Sequence, residues 1–298
     1  MADEGHIDWD GHRTWYRVDG DLAASTGPAP LVVLHGGPGA AHDYLTSIAA
    51  LHGRSGRPVV FYDQLGCGRS EHLPDAPADF WSPGLFATEL VGVLQALGIA
   101  GRYHLLGQSW GGMLAMEHAV TRPAGLRSVV IANSPASMDL WLSEANRLRA
   151  ELPPGVQQVL LDHEAAGTTD DPAYEEAMMV FYERHVCRVV PFPPEVTATF
   201  EQLEADPTVY HTMNGPSEFH VVGSLKGWDI TPRLGDLAAP ALVISGEFDE
   251  ATPAVVEPLL AALPDGRWEL MEGCSHMPHV EAPERFLDLV EAFLAQHD

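Results

Sequence analysis

The sequence predicts an α/β fold, with a mostly parallel sheet covered by helices on both faces and a helical cap inserted in the second half of the chain. Two observations carry this. Short apolar runs alternate with helix-length amphipathic stretches up to about Ser134 and again after Ile230, whereas between these points helical patterning continues without strands.

Strands are expected at Leu31 to Leu34, Val59 to Tyr62, Tyr103 to Leu106, Ser128 to Ala132, Ala241 to Ile244 and Arg267 to Met271. Most of these runs are too short for helices, and continuous apolar character suits strands buried on both faces. Helices are expected at Leu85 to Leu97, Trp110 to Thr121, Pro253 to Leu263 and Pro283 to Ala295. Within the insertion, Met138 to Ala150, Ala173 to His185 and Glu195 to Ala205 read as helices. So long an insertion between two strands exceeds any ordinary loop and should pack over the C-terminal edge of the sheet. The expected division is a sheet-bearing domain of residues 1–134 and 231–298 and a helical cap of residues 135–230.

Composition narrows the possible partners. A chain of 298 residues with 46% hydrophobic content can build an independent core. Acidic residues outnumber basic ones by 42 to 16, the formal charge is −26, and Lys226 is the single lysine. Such a charge repels nucleic acid and anionic lipid, and most of it is expected on solvated faces, where it favours solubility. Cys67, Cys187 and Cys274 have no ligand-like spacing and are odd in number, so they are read as reduced thiols. The first residues lack a basic start and an apolar core, and no run is long enough to span a bilayer, so a cytoplasmic protein is expected. Neither HExxH nor paired CxxC occurs, which leaves His276 and His279 as a lone HxxH and gives no reason to expect a metal. No cofactor is called for, and nothing specifies an oligomeric state.

Chemistry enters at YHLLGQSWGGMLAMEHA, where GQSWGG joins a strand to a helix. A serine at such a turn stands on strained backbone, and crowding there admits only very small residues at Gly107 and Gly111. Ser109 thereby sits at a helix N-terminus, where free N–H groups favour developing negative charge. A serine nucleophile needs an imidazole to take its proton and a carboxylate to orient that imidazole. Asp249 follows the strand ALVISG, and His276 follows RWELM, so both fall in loops at the same edge as Ser109. His279 competes as the base, and Glu247 and Glu250 compete as its orienter. Acyl transfer also needs N–H donors for the oxyanion. The backbone of Trp110 is one candidate, and Gly37 of HGGPG is preferred over Gly36 as the other.

The motifs HGGPG (35–39), DQLGCGRS (63–70), GQSWGG (107–112), GEFD (246–249) and CSHMPH (274–279) together resemble the proline iminopeptidase family of α/β-hydrolases. MNGPSEFHVVGSLKGWDI (213–230) is similar to the branch that contains tricorn-interacting aminopeptidases and L-amino-acid amidases. The matches run in order from about residue 31 to 285. This resemblance implies an α/β-hydrolase fold and a serine aminopeptidase that releases an N-terminal residue from short peptides or amino-acid amides. Glu218 and Glu250 match the glutamates that hold the substrate ammonium in that family. Where proline-specific members carry DQRG this chain has Leu65, so strict proline preference is not implied; DQLGCGRS itself is read as a structural turn. The rival expectation is an esterase, amidase or tailoring acyltransferase on the same scaffold, whose substrate has no free amine. Trp141, Phe181, Tyr182 and Tyr210 are candidates for the cap's core or for the pocket wall.

Overall fold

The computed structural model describes residues 2–23 and 27–298; Met1 and residues 24–26, within the expected 1–134 segment, lie outside the described residues. An eight-stranded sheet runs in the order β1-β2-β4-β3-β5-β6-β7-β8. Its strands are β1 (Asp3–Trp9), β2 (His12–Asp19), β3 (Leu31–Leu34), β4 (Val59–Tyr62), β5 (Tyr103–Gln108), β6 (Leu126–Ala132), β7 (Ala241–Gly246) and β8 (Gly266–Met271). From β4 to β8 the pairing is parallel, while β2 joins β4 antiparallel and pairs with β1 as a hairpin. All six expected strands are present, and the hairpin is an addition. Its turn is Asp10-Gly11, with φ of 48° and 84°, the left-handed pair that a two-residue hairpin turn requires.

The helices are α1 (Ala50–Ser55), α2 (Pro83–Ala96), α3 (Trp110–Ala119), α4 (Met138–Ala150), α5 (Pro154–Ala166), α6 (Pro172–His185), α7 (Pro194–Ala205), α8 (Thr208–Met213), α9 (Pro253–Ala262), α10 (Pro278–Glu281) and α11 (Pro283–Ala295). Proline opens α2, α5, α6, α7, α9 and α11, where its missing N–H costs nothing and its fixed φ suits the first turn. Ser82 caps α2 through Leu85 N, and Asp171 caps α6 through Ala173 N.

Alternating strand residues feed two cores. Val32, Val60, Leu105 and Val129 pack with residues of α2, α3 and α9 on one face. Val33, Phe61, Leu106 and Val130 belong to the other, with Phe286, Leu287 and Val290 of α11. The helices α4 to α8 lie between β6 and β7, and the chain leaves and rejoins the sheet at one place. There Ser137 bridges Asp229, Ile230 N donates to Ala136 O at 2.9 Å, and Met138 N donates to Trp228 O at 2.9 Å. Among the described residues no helix is long and apolar enough to cross a membrane.

DQLGCGRS is a structural turn. Asp63 accepts from His42 N (2.9 Å) and Arg69 N (2.9 Å) and pairs with His42 Nδ1 (2.8 Å). The Leu65 N–H donates to the buried carboxyl of Glu89 on α2 at 3.0 Å, and Thr14 Oγ1 of β2 donates to the same oxygen at 2.5 Å. Burial pushes Glu89 up to about 7, against the pull of these two bonds, so a single proton decides its charge near neutrality. Glu89→Ala leaves the Leu65 N–H and the Thr14 hydroxyl without their partner and opens a cavity. Urea denaturation should show it less stable by about 2–5 kcal/mol; an unchanged midpoint would contradict the role given to this carboxyl.

Candidate active site

Three loops at the C-terminal edge of the parallel strands meet over one cavity. Ser109 leaves β5 at φ 56° and ψ −124° and begins α3. That conformation is costly for a side-chain-bearing residue, by about 1–3 kcal/mol, and persists only where the surroundings impose it. They do so here through close backbone contact: a Cβ at Gly107 would collide with the Gly111 carbonyl, and one at Gly111 with the Leu34 carbonyl. The sequence expectation for these two glycines therefore has a direct steric cause.

Asp249, after β7, faces His276, after β8, with Oδ1 2.7 Å from Nδ1. Its carboxylate also accepts from Ala251 N (3.0 Å), Asn133 Nδ2 (2.5 Å) and Gly246 N (3.2 Å), which fixes its plane. A carboxylate can only accept, so His276 carries its proton on Nδ1 and leaves Nε2 free to act as a base. Burial disfavours the charged imidazole, but the charge and hydrogen bond of Asp249, helped by Glu218, outweigh it and hold His276 above its ordinary 6.5. Further contacts lock the ring in place. Gln108 Nε2 donates to His276 O at 2.9 Å, His276 N donates to His185 O at 3.1 Å, and the Trp141 ring meets the imidazole edge-on at 5.7 Å.

The competitors occupy other environments. His279 is buried between Tyr44 and Phe286 with both ring nitrogens lacking a hydrogen-bond partner among the described residues, and burial drives it down to about 3. Glu247 accepts from Gly273 N at 2.8 Å, on the exposed side of its loop. Gly36 N already donates to Tyr44 Oη at 2.8 Å, whereas Gly37 lines the cavity with Ser109 and His276. The N–H of Trp110, first residue of α3, has no acceptor within its own helix.

The cavity encloses about 490 Å³. Glu218 lies on its wall, its Oε1 accepting from Tyr210 Oη at 2.7 Å. Burial lifts the Glu218 pKa, partly offset by the nearby His276 and the Tyr210 bond. Glu250, beside Asp249 in the chain, is fully buried, and neither carboxyl oxygen has a partner among the described residues. Burial, then the charges of Glu218 and Asp249, push it well above the carboxylate range. Tyr182 and Tyr210 line the cavity, as do Met178, Phe192 and Phe200, while Trp141 and Phe181 are buried behind it. Leu65 is buried away from the lining, so its departure from DQRG does not touch the cavity. Among the described residues no group of three or more His, Cys, Asp or Glu could hold a metal ion.

Sequence reasoning did not find Asn133, Tyr44, Gln108 or His185. Only Asn133 carried a local signal, an asparagine directly after a strand, where its φ of 55° fits its tolerance for left-handed backbone.

A serine on a strained strand-to-helix turn, a histidine and a carboxylate on neighbouring loops, and a parallel sheet beneath them define an α/β-hydrolase. A family model of the alpha/beta hydrolase fold matches residues 29–283. The chain belongs to the proline iminopeptidase family: it is 37% identical over 296 residues to the proline iminopeptidase of Lactobacillus delbrueckii subsp. lactis, covering 99% of each chain. Among solved structures it is similar to VinJ (TM-score 0.97, 53% identity, 99% of each chain). It is likewise similar to the proline iminopeptidase of Mycobacterium smegmatis, with a TM-score of 0.92 and 54% identity over 99% of this chain and 98% of that one.

Two outcomes follow from the electrostatics. Activity should be present above the His276 pKa and lost as pH falls through it. Because Glu218 helps to raise that pKa, Glu218→Gln should move the acid limb of kcat/KM to lower pH; a limb that stays in place would show that the two groups do not interact. His279→Leu exchanges an unpartnered imidazole for an apolar group and should keep turnover within roughly threefold of the parent. Loss comparable to that of His276→Ala in the same assay would make His279 the base instead.

Proposed function

We propose that this protein is a serine aminopeptidase that releases an N-terminal residue, proline among them, from short peptides or amino-acid amides. Ser109 Oγ attacks the first carbonyl as His276 Nε2 takes its proton, and Asp249 stabilises the resulting imidazolium. The N–H groups of Gly37 and Trp110 receive the oxyanion. Collapse of the tetrahedral adduct expels the amine with the proton from His276, and water, activated by the same imidazole, hydrolyses the aminoacyl-enzyme.

The observation that carries this reading is Glu250, a fully buried carboxyl with no hydrogen-bond partner among the described residues, next to the acid of the triad and interacting with Glu218 on the cavity wall. A buried carboxylate is costly without a cation. A substrate ammonium drawn to Glu218 on the cavity wall, with Glu250 buried behind that wall, supplies that cation and sets the distance to Ser109, which makes the enzyme an exopeptidase. An ester or N-blocked amide, the substrates of the rival reading, would leave Glu250 unpaired. The relatives named proline iminopeptidase support proline as one accepted residue. Residues 135–230 are assigned to a cap that closes the cavity, and residues 1–134 and 231–298 to the catalytic domain. Three free thiols, all buried, fit a reducing cytoplasm.

Free prolyl, alanyl and phenylalanyl anilides should turn over, and their N-acetylated forms and a simple acetate ester should not. Ser109→Ala is the blank, with a loss on the order of 10⁶-fold by analogy with other triads. Glu218→Gln or Glu250→Gln should each lower kcat/KM by roughly 10- to 150-fold, the worth of one charge-assisted hydrogen bond. Equal processing of blocked and free substrates would refute the ammonium site.

A further inference from the structure

We propose that His35 is the positioning residue of the oxyanion hole: its ring, held in one tautomer by Gln64, fixes the peptide plane that presents the Gly37 N–H. This rests on the assignment of Gly37 as an oxyanion donor made above. His35 is the first residue of HGGPG and is fully buried. Its Nε2 lies 2.9 Å from the backbone N of Gln64, and its Nδ1 lies 3.0 Å from the carbonyl oxygen of Gly36.

Each partner has one possible role. A backbone N–H only donates, so Nε2 must accept; the ring proton is then on Nδ1 and is donated to the Gly36 carbonyl. Burial lowers the pKa of His35, which keeps the ring neutral and Nε2 available as an acceptor. The Gly36 carbonyl belongs to the same peptide unit as the Gly37 N–H. That unit is trans, so the two groups point in opposite directions across one plane. Holding the carbonyl toward His35 therefore aims the N–H the other way.

This hold is needed because the loop offers little resistance of its own. Both residues flanking the plane are glycines, Gly37 has φ of 106°, and nothing in their side chains opposes rotation of the peptide. Gln64 strengthens the clamp and ties it to the second donor. Its Nε2 donates to His35 O at 3.1 Å, and its Oε1 accepts from the indole Nε1 of Trp110 at 2.8 Å. One buried glutamine thus connects the two segments whose backbone N–H groups are assigned to the oxyanion. On the far side, Tyr44 Oη accepts from Gly36 N at 2.8 Å and donates to Gln108 Oε1 at 2.5 Å, next to Ser109.

The test compares three variants with the parent on a free prolyl anilide. His35→Asn keeps a donor near the position of Nδ1, His35→Gln places its amide near Nε2 and gives up the donor to Gly36, and His35→Phe removes both. The expected result is a loss of kcat of about 10²- to 10³-fold for Gln and Phe, the size associated with one oxyanion donor, with KM little changed and substantial recovery in Asn. Affinity for an aminoacyl boronic acid, which mimics the tetrahedral adduct, should fall in parallel with kcat, while affinity for free proline should hold. Should Phe fail to fold, the Asn and Gln pair decides. Equal kcat in Asn and Gln, or losses that appear in KM and proline affinity alone, would overturn the proposal. A crystal structure of the parent with the boronic acid separates the two levels. A boronate oxygen beyond hydrogen-bond reach of Gly37 N overturns the Gly37 assignment and this inference with it. Contact with Gly37 N in the parent, retained at equal kcat in His35→Gln, overturns the role of His35 alone.

Discussion

Close backbone contact at the Ser109 turn governs the geometry of the site. The carbonyls of Leu34 and Gly111 stand where side chains at Gly111 and Gly107 would have to go, so α3 starts hard against the ends of β3 and β5. Ser109 takes its left-handed conformation as a result of this packing, and its local sequence alone would not hold it there. Because β3 also leads into HGGPG, the contact that strains the serine sets the distance between the serine and the glycine loop. Strain at one residue and register between two loops are thus consequences of a single steric fact.

On that frame, charge is arranged in opposition to solvent. The buried Asp249 carboxyl accepts from Asn133, Gly246 and Ala251 in addition to its bond with His276. Glu250, the next residue, has no such donors among the described residues and is pushed toward its neutral form. Adjacent carboxyls thus sit in opposite hydrogen-bond environments. Glu218 lies between these extremes, with one phenol donor and a view of His276.

Much of this was legible in the sequence. Most of the parallel strands are buried apolar runs, β8 at the sheet edge being the exception, and all six were read within two residues of their observed ends. The β1–β2 hairpin was missed because its strands mix charge with aromatic residues and give no apolar run, although Asp10-Gly11 is a strong turn signal. Helix α5 escaped because Leu160 is its one buried position, which leaves no periodic stripe to detect. Ser109, Asp249 and His276, the proposed triad, were singled out from strand–loop context, and each does follow a strand end. Gln64, Tyr44, Gln108 and His185 could not, since their importance lies in bonds to residues distant in the chain, and one sequence does not report such pairs.

The neck between Ser137 and Asp229 has a further consequence. Because the chain departs from and returns to the sheet through adjoining backbone hydrogen bonds, everything between them can change in length or sequence at small entropic cost to the sheet. The apolar lining contributed by Met178, Phe192 and Phe200 belongs to that interchangeable segment, whereas Ser109, Asp249 and His276 do not. The same segment also carries His185, Trp141 and Glu218, which hold the His276 backbone, pack on its ring and raise its pKa, so exchange of residues 138 to 228 between relatives would retune the imidazole together with the pocket wall.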